Sequence, residues 1–181
     1  GGYETIADTM TNPAYRNAAL ALMLDEQAPT LSMPEGTDLA GYAELLIARF
    51  TNPALKHRTW QIAMDGSQKL PQRLLDPIRL HLARGEDYRH LALGVAAWMR
   101  YVSGVDEKNN PIDVVDPLAA RYQAINQQYL SPEERVRALL TIDTIFGTDL
   151  SDNTDFIKRV TAACQQLHSV GARAAVAALN H

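Results

Sequence analysis

Residues 88–102 read YRHLALGVAAWMRYV. Apart from Arg89, His90 and Arg100 the stretch is apolar on every side of a helical wheel. A helix of that kind has no solvent face of its own and belongs at the centre of a bundle. Upstream, Leu70, Leu74, Ile78 and Leu82 form a stripe that stops at Arg84-Gly85, with Pro71 in the first turn. Pro77 lies inside that pattern, where it removes a hydrogen bond and crowds the preceding turn, so a kink or break is expected near Asp76. Further upstream, Leu39, Tyr42, Ala43, Leu46, Ile47 and Phe50 follow amphipathic helical spacing. The motif Thr-Asn-Pro-Ala occurs at 11–14 and 51–54 and predicts a helix start at each. The residues after the two copies do not match, so a shared start signal explains them better than an internal repeat.

Downstream, SGVDEKNNPIDVVDP reads as the one long loop. A helix is predicted from Pro117 to about Tyr129, and another opens at the capping box Ser131-Pro132-Glu133-Glu134. Two more are predicted over 154–168 and 170–179. No stretch alternates over a strand's length. The expected architecture is all-α, one compact domain over 1–181 with about eight to ten helices. Tyr3, Ile6, Ala7 and Met10 already follow helical spacing, as though the chain opened inside a longer one.

A chain of 181 residues with a net charge of −4 can bury a core, and its charge argues against nucleic acid or an anionic membrane surface as partner. The apolar stretch 91–99 is far short of the ~20 residues that cross a bilayer. The single cysteine, Cys164, falls on an apolar helical stripe with Phe156, Val160, Ala163 and Leu167. It reads as a buried structural thiol, and a chain without a disulfide framework fits the reducing cytoplasm.

Motifs that carry chemistry by themselves are missing. The five histidines show no metal-ligand spacing, and neither a phosphate loop nor a Gly-x-Ser-x-Gly elbow occurs. Charge is uneven, however. Positions 53–102 hold eight basic residues against four acids, while the remainder carries −8. Either the amphipathic helices need charged outer faces, or a site for a small anion lies here. Lys69, in the corner Asp65-Gly66-Ser67-Gln68-Lys69, stands at a helix start, where a cation is unfavourable. It is either swung into solvent or held for an incoming anion.

Two of these motifs in register carry a resemblance. Arg49-Phe50-Thr51-Asn52-Pro53 and Asp65-Gly66-Ser67-Gln68-Lys69, with WMRYVSGVDEKNNPIDVVDP following, resemble the C-terminal domain of the polyol-specific long-chain dehydrogenases, the mannitol dehydrogenase family. The resemblance covers essentially the whole chain and is nearest to the members that act on sugar acids. It implies that this chain is the helical substrate-side domain of an NAD-dependent oxidoreductase. It also implies a partner Rossmann domain, N-terminal and absent here, that binds most of the NAD. The family's catalytic lysine lies just before the part matching Gly2-Tyr3, so no catalytic residue is expected in this chain. Lys69 matches the substrate-binding lysine. Gln61 and Met64 stand where the mannitol enzymes have Arg and His, which argues against a plain polyol, and Arg58 could supply a replacement charge. Other polyol dehydrogenases of the family remain alternatives, as does a helical interaction module with no chemistry.

Overall fold

The computed structural model describes residues 3, 5–55 and 58–179. Its helices are α1 (Ile6–Met10), α2 (Pro13–Ala21), α3 (Leu39–Thr51), α4 (Thr59–Ala63), α5 (Gly66–Leu70), α6 (Asp76–Arg84), α7 (Arg89–Val102), α8 (Ala119–Gln128), α9 (Pro132–Leu140), α10 (Asp143–Ser151) and α11 (Thr154–Leu179). The β pairing among the described residues is limited to two isolated bridges, Thr5 with Arg58 and Val105 with Pro111. The fold is all-α, as the periodicity implies.

α7 is the central helix. Leu91, Val95 and Ala96 have no exposed surface, and Trp98, Met99 and Val102 are buried beside them. α11 packs along it through Phe156, Val160, Cys164 and Leu167, with Cys164 Sγ 3.9 Å from both the Ala96 carbonyl and Met99 Sδ. Trp98 then meets Tyr122 of α8 edge-on at 5.6 Å and Phe146 of α10 at 6.0 Å, and Phe146 lies 6.4 Å from Phe156. These aromatic contacts tie four helices into one core.

The N-terminus of α7 is capped from outside its own sequence. Tyr88, at the cap position, offers no side-chain hydrogen bond. α2 runs on as a π-helical turn, Leu22–Gln27, which points Glu26 into the interior. Its carboxylate accepts the His90 N–H at 2.8 Å, the Leu91 N–H at 2.6 Å and His90 Nδ1 at 3.0 Å. His81 Nε2 bonds to the Glu26 carbonyl. The two histidines, far apart along the helices, therefore meet at one residue.

Three expectations change. The helix does not break at Pro77. Leu75 and Asp76 keep right-handed helical angles, and α5 runs through a π-turn, Pro71–Leu75, into α6. Pro77 has no N–H for the Arg73 carbonyl one turn back, and that carbonyl accepts Gln27 Nε2 at 3.1 Å. Second, Thr51-Asn52-Pro53 ends a helix. α3 continues through Thr51, Asn52 caps its C-terminus, and Pro53–Leu55 makes a single 3-10 turn. Helix resumes at Thr59 because Arg58 is extended and bridges to Thr5. Lys56 and His57, also in the predicted second helix, lie outside the described residues. Third, α10 escaped the periodicity because Gly147, at φ 65 and ψ 176, splits it into two short turns. At the other end, Met10 is buried, while Tyr3 and Ile6 are half-buried along an open groove.

Replacing Glu26 by Ala should destabilise the protein by about 3–5 kcal/mol, because buried N–H groups lose a charged acceptor. Urea denaturation measures it, and a loss below ~1 kcal/mol would show that the cap is not carried by this side chain.

Candidate functional site

The corner that carries Lys69 is built from α4, α5 and the loop before α8. α4 ends at Met64 in extended geometry, and Asp65 adopts the left-handed conformation at φ 57, ψ 33. Its N–H donates to the Val115 carbonyl at 2.9 Å, and its own carbonyl accepts the N–H groups of Gln68 and Lys69. The Asp65 side chain caps nothing. Asp116 supplies the cap instead, accepting the Ser67 N–H at 2.8 Å and Ser67 Oγ at 2.6 Å. The same carboxylate takes the Leu118 N–H at 2.9 Å. Gly66 lies against the Trp98 indole, where a Cβ would sit 2.3 Å from Nε1. Asp65, Gly66 and Ser67 thus have packing and capping roles.

Lys69 is the member of the corner without such a role. It is half-buried, and Nζ lies 3.5 Å from the Ile62 carbonyl at the end of α4. It makes no ion pair among the described residues. Gln61 is exposed on α4 between Trp60 and Ile62, which are also exposed at 48% and 46%. Arg58 is exposed as well, and it precedes α4 in extended conformation, bridged to Thr5. Lys69 Nζ thus reaches the carbonyl of the residue next to Gln61, and Arg58 immediately precedes α4.

Beside that corner runs a groove of about 450 Å³. Tyr3, Ile6, Trp60, Ala63, Ala97 and Tyr101 make its walls mostly apolar. Trp60 and Ala63 face it from α4, whereas Gln61, Met64 and Lys69 do not line it.

The basic segment does not assemble into one site. Arg79 pairs with Asp149 at 2.6 Å and with Asp76 at 2.9 Å, and donates to the Phe146 carbonyl at 2.8 Å. The hydrogen bond from Arg79 holds Asp149 below the usual carboxylate range. Arg84 lies near Glu86, and Arg89 near Asp87. Burial pushes the Cys164 thiol up to about 12, so it is an inert core group rather than a nucleophile. Among the described residues no group of three metal-ligating side chains is present. Neither Asp116 nor Glu26 stood out in the sequence. Val-Val-Asp-Pro carries a helix-start signal at Asp116, but its reach to Ser67 depends on the tertiary fold.

Residues 1–168 match the family model described as the mannitol dehydrogenase C-terminal domain. The chain is 70% identical over 179 residues to D-mannonate oxidoreductase of Escherichia coli K12, covering 99% of this chain and 37% of that protein. It is 32% identical over 177 residues to mannitol 2-dehydrogenase of Phaeosphaeria nodorum, covering 98% of this chain and 30% of the relative. A mannitol 2-dehydrogenase of Pseudomonas fluorescens, solved as a ternary complex with NAD and D-mannitol, superposes with a TM-score of 0.90 at 29% identity. That match covers 98% of this chain and 36% of the solved one. The chain thus spans about a third of the length of these relatives.

Gly66→Ala should cost about 1–3 kcal/mol by forcing a methyl into the Trp98 indole. Asp116→Ala should cost about 1.5–3 kcal/mol through the lost cap. Unchanged urea midpoints for both variants would mean that the corner is held by other contacts.

Proposed function

Because the chain belongs to the mannitol dehydrogenase C-terminal domain family, we propose that it is the substrate-side domain of an NAD-dependent oxidoreductase interconverting D-mannonate and D-fructuronate. The observation that carries this reading is 70% identity to a D-mannonate oxidoreductase over nearly the whole chain. The TM-score of 0.90 to a complex holding NAD and D-mannitol supports the same reaction class.

The residues present do not fit a dinucleotide site of their own. The described residues form no strand followed by a glycine-rich turn and helix, the arrangement that cradles a pyrophosphate. NAD is accordingly assigned to another domain of the longer protein, with the reduced cytoplasmic compartment as the setting for its single buried thiol. In this reading the present chain binds and orients the sugar acid. Lys69 Nζ, held near the Ile62 carbonyl, keeps donors to spare for a substrate hydroxyl or carboxylate. Gln61 offers an amide and Arg58 a guanidinium.

A second reading, tagaturonate reductase or another polyol dehydrogenase of the family, draws on the 32% identity to mannitol 2-dehydrogenase. A helical interaction module is a third reading, favoured by exposed Tyr42 and Leu45 on α3, at 64% and 63%. NADH oxidation by the full-length protein separates them when D-fructuronate, D-tagaturonate and D-fructose are offered. Preference for D-fructuronate is expected. Lys69→Ala should lower kcat/KM about ten- to a hundred-fold, the loss of one charged hydrogen bond of about 1.5–3 kcal/mol. Equal kcat/KM for wild type and variant would remove Lys69 from the site, and turnover of none of the three would overturn the enzymatic reading.

A further inference from the structure

On the far side of α7 from Glu26's cap, two arginines and a histidine surround a small hollow among α7, α8, α9 and α11. Arg100, in the last turn of α7, donates Nη1 to Ser103 Oγ at 3.3 Å and Nη2 to the Asp106 carbonyl at 3.1 Å. Its Nε is buried without a partner. Arg135 of α9 donates Nε to the Tyr129 carbonyl at 2.8 Å and Nη2 to the Asn126 carbonyl at 3.3 Å. Each guanidinium has five N–H groups, so both retain donors beyond these bonds. Neither forms an ion pair among the described residues. His168 of α11 completes the ring, and burial first, then Arg100 and Arg135, hold its pKa below the ordinary value. The floor is apolar, made by Met99, Leu139 and Cys164.

We propose that this hollow binds one monatomic anion with the charge and size of chloride, held between Arg100 and Arg135. Its volume of about 20 Å³ admits a single particle of water or halide size and leaves no room for phosphate or a carboxylate ligand. Charge decides between water and halide. Water would leave two unpaired guanidinium charges and a buried Nε lining the hollow, whereas an anion neutralises them with charge-assisted hydrogen bonds. His168 is solvent-exposed at the rim and gives the ion a path inward. Bound there, the ion links the C-terminal turn of α7 to α9 and α11.

The test uses the full-length protein. In crystals soaked with bromide, an anomalous peak between the two guanidiniums is expected, and ordinary water density without an anomalous signal overturns the proposal. At matched ionic strength, chloride should raise Tm relative to gluconate. Arg135→Gln should abolish that difference, and a wild-type Tm indifferent to the anion would overturn the proposal even where the variant fails to fold.

Discussion

The structure depends first on a carboxylate placed where no water reaches it. Glu26 leaves α2 on a π-helical turn and meets the exposed N–H groups at the start of α7. A negative charge is favoured at that end of a helix, and the hydrogen bonds offset the loss of hydration. The next residue, Gln27, serves the carbonyl left by Pro77. One turn of chain therefore repairs two defects, an uncapped central helix and a proline inside its neighbour. With both repaired, α7 can present apolar side chains on nearly every side to α8, α10 and α11.

The same principle recurs at the corner that carries Lys69. α5 has no side-chain cap from its own cap residue, and the cap arrives from Asp116, 49 residues away. The loop before α8 thereby sets the path of the chain between α4 and α5. Trp98 of the central helix fixes the corner from below by closing on Gly66. Lys69 stands one turn further along, so its position follows from the core helix and from the loop together. A side chain anchored in this way varies little in position, as the substrate-orienting role proposed for Lys69 requires.

Charge on this domain is divided by role. Arg79, Arg84, Arg89 and Arg159 sit in exposed or half-exposed pairs with acids, where screening leaves each pair small in energy. Arg159 also lies 4.6 Å from the centre of the Tyr88 ring, whose hydroxyl donates to Asp155 at 2.6 Å. Lys69, Arg100 and Arg135, like Arg16, are half-buried cations that donate to carbonyls and keep further donors.

Helix class, the central place of 88–102 and most helix starts were legible in the sequence because they follow from side-chain period and local capping chemistry. Ser131 and Glu134 form the capping box that their spacing implies, and Asn12 caps α2 with Pro13 at its first position. The family motifs at 49–53 and 65–69 were legible too, and with them the family. Tertiary structure alone decided the rest. Thr51-Asn52-Pro53 ends a helix although its twin at 11–13 begins one, because Arg58 pairs with Thr5. Pro77 sits in an unbroken helix because Gln27 reaches its orphaned carbonyl. Asp-Gly-Ser owes its form to Trp98 and Asp116. Each of these outcomes is set by a hydrogen bond or close contact between residues far apart in the chain, which no local periodicity records.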